Sequence, residues 1–196
     1  MKTKADQKRP HTTIAVFGSA FNPPHCGHED VIQQALEHAD LALLVPSYCH
    51  AFGKPMAPFE QRLAMTEALA TDLSVAGEVR VSDIERTLSK HKANGKAIYT
   101  YDVLHALDAM NPNTSLIFVL GPDNAKPATW NKFYRAQDIL NRWTIREAQE
   151  RIAVRSTGIR NKLAQGILPT EAECPRMVIE RLKTINYYYH SEDEGE

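Results

Sequence analysis

Residues 13–39 read "TIAVFGSAFNPPHCGHEDVIQQALEHA", and this stretch decides the fold. Its apolar start, 13–17, predicts a short strand that is buried on both faces, as strands of parallel sheets are. Its end, 27–39, places apolar residues three and four positions apart, which predicts an amphipathic helix. Pro23 and Pro24 lie between them and stiffen the loop. A strand that passes through a loop into a helix is the building unit of a parallel α/β sheet.

The same alternation of strand and helix continues along the chain. Further strands are predicted at 40–45, 78–82 and 115–120, and further helices at 58–73 and 99–110. We therefore expect an α/β fold, a Rossmann-like doubly wound parallel sheet with helices on both faces. Such sheets bind ligands outside the carboxyl ends of their strands, where the strand order reverses.

The composition is that of an ordinary globular domain. The chain has 196 residues, 43% of them apolar, and a net charge of -1. That charge gives no overall attraction to nucleic acid or to an anionic membrane, so we expect neither as a partner. We find no apolar run of the roughly 18 residues that a membrane span needs, and no apolar core of a secretory signal. The cysteines Cys26, Cys49 and Cys174 show no metal-binding spacing, so we expect a cytoplasmic protein without a disulfide framework.

The two ends of the chain differ from its middle. Residues 1–11 are polar and basic, and residues 191–196, "SEDEGE", are acidic. Such segments cannot bury enough apolar surface to fold, so we expect a disordered lead and a solvated acidic tail. A single domain is then expected over residues 12–190.

His25 and His28 lie three positions apart at the predicted start of the first helix. Side chains at this spacing project from one face of a helix. A helix N-terminus carries unpaired N–H groups and partial positive charge, so it attracts phosphate, and two imidazoles add further donors. Gly18 just before them favours a close turn. We favour a polyphosphate site. A histidine pair without a role and a zinc site stay open, although zinc needs three or four ligands.

Residues 155–160, "RSTGIR", predict a second site of the same kind. Ser156 or Thr157 is suited to cap a helix that ends near Gly166. Arg160 and the arginine that starts the stretch flank the helix N-terminus. Hydroxyls, free N–H groups and a guanidinium together suit a phosphate. The alternative is an ordinary cap with surface arginines.

Both stretches resemble motifs of one superfamily, the nucleotidylyltransferases with HxGH motifs. Residues 18–28, "GSAFNPPHCGH", resemble its signature G-x-(T/S)-F-(D/N)-P-x-H-x-G-H, and "RSTGIR" matches the Ser, Thr and Arg of its (I/S)-S-T-x-x-R motif. The resemblance runs from about residue 13 to about residue 185 and implies one nucleotidylyltransferase domain. It implies that His25 and His28 are catalytic, since they bind the triphosphate of ATP and stabilise the transition state. The ATP-binding residues that it implies are Gly18, Ser19, Ala20, Phe21, His25, His28, Ser156, Thr157 and Arg160.

The middle of the chain resembles one branch of that superfamily. Residues 98–104, "IYTYDVL", resemble the S-Y-T-x-x-T-L segment of the branch that adenylylates nicotinate or nicotinamide mononucleotide. A later stretch, "VLGPDNAKPATW", resembles the start of that branch's G-x-D-x-x-x-x-x-x-W segment. The resemblance places Thr100 and Trp130 near the pyridine ring and Asp123 near ribose hydroxyls. It makes Lys54, in the loop after the second strand, a candidate for the mononucleotide phosphate.

The implied reaction joins the AMP part of ATP to the mononucleotide and releases pyrophosphate. The phosphate of the mononucleotide is already an anionic nucleophile, so catalysis is positioning plus electrostatic stabilisation. Mg²⁺ would be carried mainly by ATP and water. The expected partners are therefore small molecules, and the sequence gives no oligomeric state.

One segment departs from the family pattern, and one residue of the signature has no role in the family. The segment 141–154 is shorter than usual, which predicts a last strand reduced to 152–154 and altered adenine contacts. Cys26 lies between the two histidines, where a thiol pKa can fall, but the family needs no thiol there and we treat it as a bystander. Two alternatives stay open: another HxGH transferase of phosphopantetheine, FMN or cytidylyl type, or a nucleotide-binding protein without turnover.

Overall fold

A computed structural model of the protein describes most of the chain. The predicted lead and tail lie outside the described residues, as do Lys54 and Asp123 of the candidate site. The described residues are 12–49, 53, 55–92, 97–122, 124, 127–130 and 132–189.

The described residues form one five-stranded sheet in which every pairing is parallel. Its strand order is β3-β2-β1-β4-β5, so the order reverses beside β1. This confirms the doubly wound α/β fold and places the expected ligand edge between β1 and β4. The strands are β1 Thr12–Ser19, β2 Leu41–Pro46, β3 Glu78–Val81, β4 Thr114–Leu120 and β5 Thr144–Glu147.

Helices cover both faces of the sheet and complete two apolar layers. Alternate residues of β1 face opposite sides, with Ala15 and Phe17 in one core cluster and Ile14 and Val16 in the other. The described helices are α1 Cys26–Leu36, α2 Phe59–Asp72, α3 Ile84–Ser89, α4 Thr100–Met110, α5 Pro127–Trp130, α6 Ala136–Arg142, α7 Ser156–Leu163 and α8 Arg176–Leu182, and the short 3-10 helix Asn186–Tyr189 follows.

The last strand corrects one expectation. It lies at Thr144–Glu147, not at 152–154, and it pairs with the end of β4. A strand on the edge of a sheet needs little apolar content, so the polar sequence "TIRE" gave a weak signal. Ile152, by contrast, is 38% exposed and lies in the segment that leads to α7. The shortened segment therefore keeps its strand.

The start of the signature loop corrects a second expectation. Gly18 lies inside β1, paired with Val45, and not in a turn. A Cβ on Gly18 would meet only the Val45 carbonyl oxygen, at 3.9 Å, which is an ordinary contact. The chain turns at Phe21 instead, whose φ of 47° lies in the left-handed region that few residues other than glycine adopt. Gly18 is therefore not required by the backbone.

Candidate functional site

A cleft opens where β1 and β4 end, beside the reversal of strand order. Three segments form its walls. The first runs from the end of β1 into α1 and contributes both histidines. The second follows β4 at Gly121 and Pro122, and the third follows β5 over residues 149–155. The cleft thus lies at the edge where doubly wound sheets bind ligands.

His28 presents an N–H donor in this cleft. Its side chain is buried, and its Nδ1 accepts a hydrogen bond from the backbone N–H of His25 at 3.1 Å. A neutral imidazole has one acceptor and one donor nitrogen, so these partners assign the proton to Nε2. Nε2 lies 3.1 Å from the Ser19 hydroxyl. A ligand oxygen that replaces this hydroxyl would accept the same hydrogen bond from Nε2–H.

His25 lies directly against His28, with the two ring centroids 3.9 Å apart. Burial, and then the positive charge of Arg155, lower the pKa of His25 to about 4. Burial, then His25, then Arg155 hold the pKa of His28 well below its usual value. Both rings are therefore neutral at pH 7, and each offers an N–H group rather than a full charge.

Gly27 explains why the signature needs glycine between the histidines. A Cβ at this position would lie 3.0 Å from Cε1 and Nδ1 of His25 and 3.3 Å from the Ile152 carbonyl oxygen. Both distances are shorter than ordinary contacts. Glycine leaves room for the His25 ring on one side and for the third wall of the cleft on the other.

Ala20 and Phe21 lie behind the histidines, and neither is among the residues that line the cleft. Phe21 is fully buried, and its ring centroid is 4.9 Å from that of His28. The Ala20 carbonyl accepts a hydrogen bond from the Arg62 guanidinium at 2.8 Å. Of the predicted signature contacts, the structure brings Gly18, Ser19 and the two histidines into the cleft and uses these two residues as support.

The second motif contacts the first, and it does so differently from the prediction. The N-cap of α7 is Arg155, so neither Ser156 nor Thr157 caps the helix. The Ser156 hydroxyl instead donates to the Pro23 carbonyl at 2.8 Å. The Arg160 guanidinium donates to the Asn22 carbonyl at 2.7 Å and to the Thr157 hydroxyl at 3.1 Å.

The hydrogen bonds of the next residues explain these contacts. The His25 N–H donates to His28 Nδ1 and the Cys26 N–H to the Glu173 carbonyl, so neither closes a local turn onto the Asn22 or Pro23 carbonyl. Ser156 and Arg160 supply the missing donors. The structure shows that the two motifs bind each other, and a phosphate shared between them stays a prediction.

Sequence reasoning missed Arg62 as the central residue behind the loop. Its side chain is 1% exposed although it carries a charge. Besides Ala20, it donates to the carbonyls of Ala57 at 2.8 Å and Tyr48 at 3.4 Å. The available signal was an arginine one turn before Thr66, which belongs to the apolar stripe of α2. An arginine at the edge of such a stripe usually extends to solvent, so the pattern did not single it out.

The predicted pyridine contacts lie outside the lining of this cleft. Thr100 begins α4, and Trp130 ends α5 after β4. The Trp130 ring is partly buried, with centroids 4.9 Å from Phe133 and 6.5 Å from Phe118. Their roles stay predictions.

Cys26 behaves as a buried thiol. Burial raises its pKa to about 11, opposite to the decrease that a helix start can cause, and its Sγ contacts the Glu171 carbonyl at 3.5 Å. In the part of the chain that the structure describes, no three His, Cys, Asp or Glu side chains form a group that could hold a metal ion. The described helices include none long and apolar enough to cross a membrane.

Comparisons with known proteins agree with this geometry. The sequence model of the cytidylyltransferase-like family matches residues 16–162. A Myxococcus xanthus protein named "Probable nicotinate-nucleotide adenylyltransferase" is 32% identical over 175 residues, which are 83% of this chain and 88% of that protein. A protein of the same name from Anaeromyxobacter dehalogenans is 33% identical over 164 residues, 78% of this chain and 84% of its own.

Solved structures share the fold. A crystal structure from Vibrio parahaemolyticus that carries the name nicotinate-nucleotide adenylyltransferase superposes with a TM-score of 0.73 at 35% identity, over 88% of this chain and 99% of that one. Plasmodium falciparum nicotinic acid mononucleotide adenylyltransferase in complex with NaAD superposes with a TM-score of 0.69 at 17% identity, over 91% and 98% of the two chains. The second likeness concerns the fold alone.

Proposed function

The chain belongs to the cytidylyltransferase-like family, among its nicotinate-nucleotide adenylyltransferases, and we propose that it transfers the AMP part of ATP to nicotinate mononucleotide. The products are a dinucleotide of the NAD pathway and pyrophosphate. The observation that carries the proposal is the neutral His28, whose Nε2–H lies beside Ser19 in a cleft at the carboxyl end of β1.

The reaction needs no nucleophile or base from the protein. The phosphate of the mononucleotide attacks the α-phosphorus of ATP, and negative charge grows on the α-phosphate oxygens and on the leaving pyrophosphate. A preorganised donor aimed at that charge lowers the barrier. His28 fits this role because its Nδ1 is held by the His25 backbone, so Nε2 cannot rotate away. His25 adds a second imidazole 3.9 Å from it, measured between ring centroids.

The remaining ATP contacts are assigned from the cleft wall outward. Gly18 lines the cleft without a side chain, so phosphate can approach β1 closely. Ser19 offers a hydroxyl next to His28. Ser156 and Arg160 in α7 support the site because they donate to carbonyls of the loop that carries the histidines, and Thr157 accepts from Arg160. All three are proposed to contact the phosphates of ATP, as the motif resemblance implies.

Mg²⁺ is proposed to enter with ATP. The carboxylates that line the cleft already have partners: Asp30 accepts from Gln34 at 2.9 Å, and Glu150 forms an ion pair with Arg155. Neither belongs to a group of ligands among the described residues that could bind a metal by itself. This donor set suits an ion that keeps its water and is held by phosphate oxygens. Its chemistry would be to neutralise charge on the phosphates.

The acceptor half of the site is proposed from the resemblance. Thr100 and Trp130 would contact the pyridine ring, Lys54 the mononucleotide phosphate and Asp123 the ribose. An indole face suits a flat aromatic ring. Trp130→Ala should therefore raise KM for the mononucleotide more than KM for ATP. The reverse pattern would contradict this assignment, and steady-state kinetics with each substrate varied in turn measures it.

One assay tests the proposed function. ATP is mixed with nicotinate mononucleotide or nicotinamide mononucleotide, and pyrophosphate release is followed, with His28→Ala as the control for contaminating activity. We expect release with the nicotinate form, lost in the control. Release only with phosphopantetheine, FMN or a cytidine nucleotide system would identify another transferase, and ATP binding without release would indicate a protein without turnover.

We propose a cytoplasmic location, where ATP is present and the thiols of Cys26 and Cys174 stay reduced.

A further inference from the structure

Arg155 lies where the third wall of the cleft meets α7. It is the N-cap of that helix, and it lines the cleft together with both histidines. Its charge acts on both rings, since it contributes to the lowered pKa of His25 and of His28. The (I/S)-S-T-x-x-R motif has Ile or Ser at this position, so the resemblance gives Arg155 no role.

The guanidinium of Arg155 is held by a carboxylate from the same wall. It forms an ion pair with Glu150, which also lines the cleft, and it donates to its neighbour's carbonyl, that of Val154, at 3.2 Å. The Arg155 and Glu150 side chains are 42% and 41% exposed. An ion pair so open to water contributes little to stability and is easily broken. A ligand with more negative charge than one carboxylate can therefore displace Glu150.

Arg155 differs in its partners from Arg160, the arginine that matches the motif. Arg160 donates to the Asn22 carbonyl and to the Thr157 hydroxyl, so its guanidinium supports the signature loop. Arg155 instead holds a partner that can be exchanged, at the cleft surface. A guanidinium binds carboxylate and phosphate with the same planar pair of N–H groups, so the exchange needs little rearrangement.

We propose that Arg155 is a polyphosphate-binding residue of this cleft, and that Glu150 competes with ATP for it. Without nucleotide the carboxylate occupies the guanidinium and limits the binding of weaker anions. With ATP the guanidinium binds phosphate oxygens, and Glu150 turns to water. This assignment rests on the proposed function only in taking ATP as the ligand.

A double-mutant cycle tests the exchange. ATP binding is measured by calorimetry without mononucleotide, so no turnover occurs, for the wild type, Arg155→Gln, Glu150→Gln and the double variant. We expect Arg155→Gln to raise Kd for ATP about tenfold, the scale of one charge-assisted hydrogen bond, and Glu150→Gln to lower it about threefold. In the Arg155→Gln background, Glu150→Gln should change Kd by less than about 1.5-fold, because its competitor role is gone.

Three further arms separate phosphate binding from folding. Adenosine, which has no phosphate, should bind the wild type and Arg155→Gln equally. Arg142→Gln, which removes a similarly exposed arginine paired with Asp108 on the surface, should leave Kd for ATP unchanged. Arg155→Lys keeps the charge without the planar fork and should recover part of the affinity.

The outcomes are distinct from those of the turnover assay. An equal threefold gain from Glu150→Gln in both backgrounds would mean general repulsion and would overturn the exchange. An equal loss for adenosine and ATP would mean damaged folding and would overturn the phosphate contact. If the cycle behaves as expected and no pyrophosphate is released with any mononucleotide, the role of Arg155 stands and the proposed function fails.

Discussion

The two walls of the cleft that meet at α7 are built in opposite ways. The first wall, from β1 into α1, is held by buried polar groups: Asn22 is 5% exposed, and its side-chain oxygen accepts from the Ala57 backbone at 3.1 Å and from the Tyr188 hydroxyl at 2.7 Å. The third wall, residues 149–155, is held by side chains in contact with water, such as Arg151, which lies 3.7 Å from Glu37.

The difference matches what each wall has to do. A buried polar group that loses its partner costs about 1–3 kcal/mol, so the first wall has one stable arrangement. A water-exposed ion pair costs little to break, so the third wall can rearrange when a charged ligand arrives. Fixed donors serve catalysis, because they need no reorganisation at the moment of reaction. The third wall provides an exchangeable charge, and four substitutions test the contrast.

The largest effect is expected on catalysis, from His28→Ala. The change removes the donor fixed by the first wall, and we expect kcat for pyrophosphate release to fall by roughly 10²–10³, the scale for one oxyanion-type donor. His38→Ala, an exposed histidine after the end of α1, is the matched control. A kcat for His28→Ala within about threefold of the wild type would show that the first wall does not supply the catalytic donor.

The second effect is on stability, from Arg62→Met. The substitution keeps an apolar side chain of similar length but leaves the carbonyls of Ala20 and Ala57 without their donor, so we expect the free energy of unfolding to fall by about 3 kcal/mol. Arg80→Met removes an exposed arginine paired with Glu78 and should cost less than about 0.5 kcal/mol. Urea unfolding measures the loss of unfolding free energy for both variants. Equal losses would contradict the expectation that the buried arginine contributes more to stability than the exposed one.

The same contrast decides how much the sequence could predict. The parallel sheet could be predicted from apolar runs such as 115–120, because a strand buried on both faces needs apolar residues at nearly every position. The pairing of His25 and His28 followed from helix geometry and motif resemblance. Arg62 could not be predicted, because two of its carbonyl partners, Ala20 and Tyr48, lie in segments that only the fold brings to it. The polar edge strand β5 was misplaced for the opposite reason, since an exposed edge imposes little on its residues.

Arg155 shows where a motif match can mislead. The motif directed attention to Ser156 and Arg160, and the structure uses both to hold the loop. The residue that the motif does not specify is the one that lines the cleft. Sequence spacing gives the order of residues along α7, but the first turn of a helix can direct neighbouring side chains to different surroundings.

The third effect concerns pH and the buried network behind the first wall. Burial raises the pKa of Glu85 to about 7, and its carboxylate accepts a 2.7 Å hydrogen bond from the Tyr48 backbone. Between pH 4.5, its ordinary pKa, and pH 7, the folded state keeps a proton that the unfolded state has lost. The contribution of Glu85 to stability is therefore full below pH 4.5 and is lost as pH rises through 7.

Glu85→Gln should remove that loss, because glutamine can accept the same hydrogen bond without ionising. We expect the variant to gain stability relative to the wild type as pH rises from 4.5 to 8, measured as the difference between their free energies of unfolding in urea at each pH. His25 and His28 have the opposite pH dependence, because their lowered pKa values make the protein more stable as pH rises toward 6.5. Their contribution is the same in both proteins, so it cancels in the difference. Glu67→Gln, at an exposed position of α2, is the control for the substitution itself. A constant difference across this range for Glu85→Gln would contradict the prediction.

The smallest effect is expected at the third wall, from Gln34→Ala. The Gln34 amide accepts from the Gln149 backbone N–H at 2.9 Å and donates to its carbonyl at 3.0 Å, so it joins this wall to α1. These bonds are exposed, and water replaces them, so we expect a loss of only about 0.5–1 kcal/mol of unfolding free energy. The KM for ATP should rise two- to threefold, since Arg155 is then less well placed, while kcat stays within about twofold because His28 belongs to the other wall. Gln33→Ala, the exposed neighbour on α1, is the matched control for both measurements. A fall in kcat approaching that of His28→Ala would mean that the two walls act as one rigid frame, and the contrast between them would have to be given up.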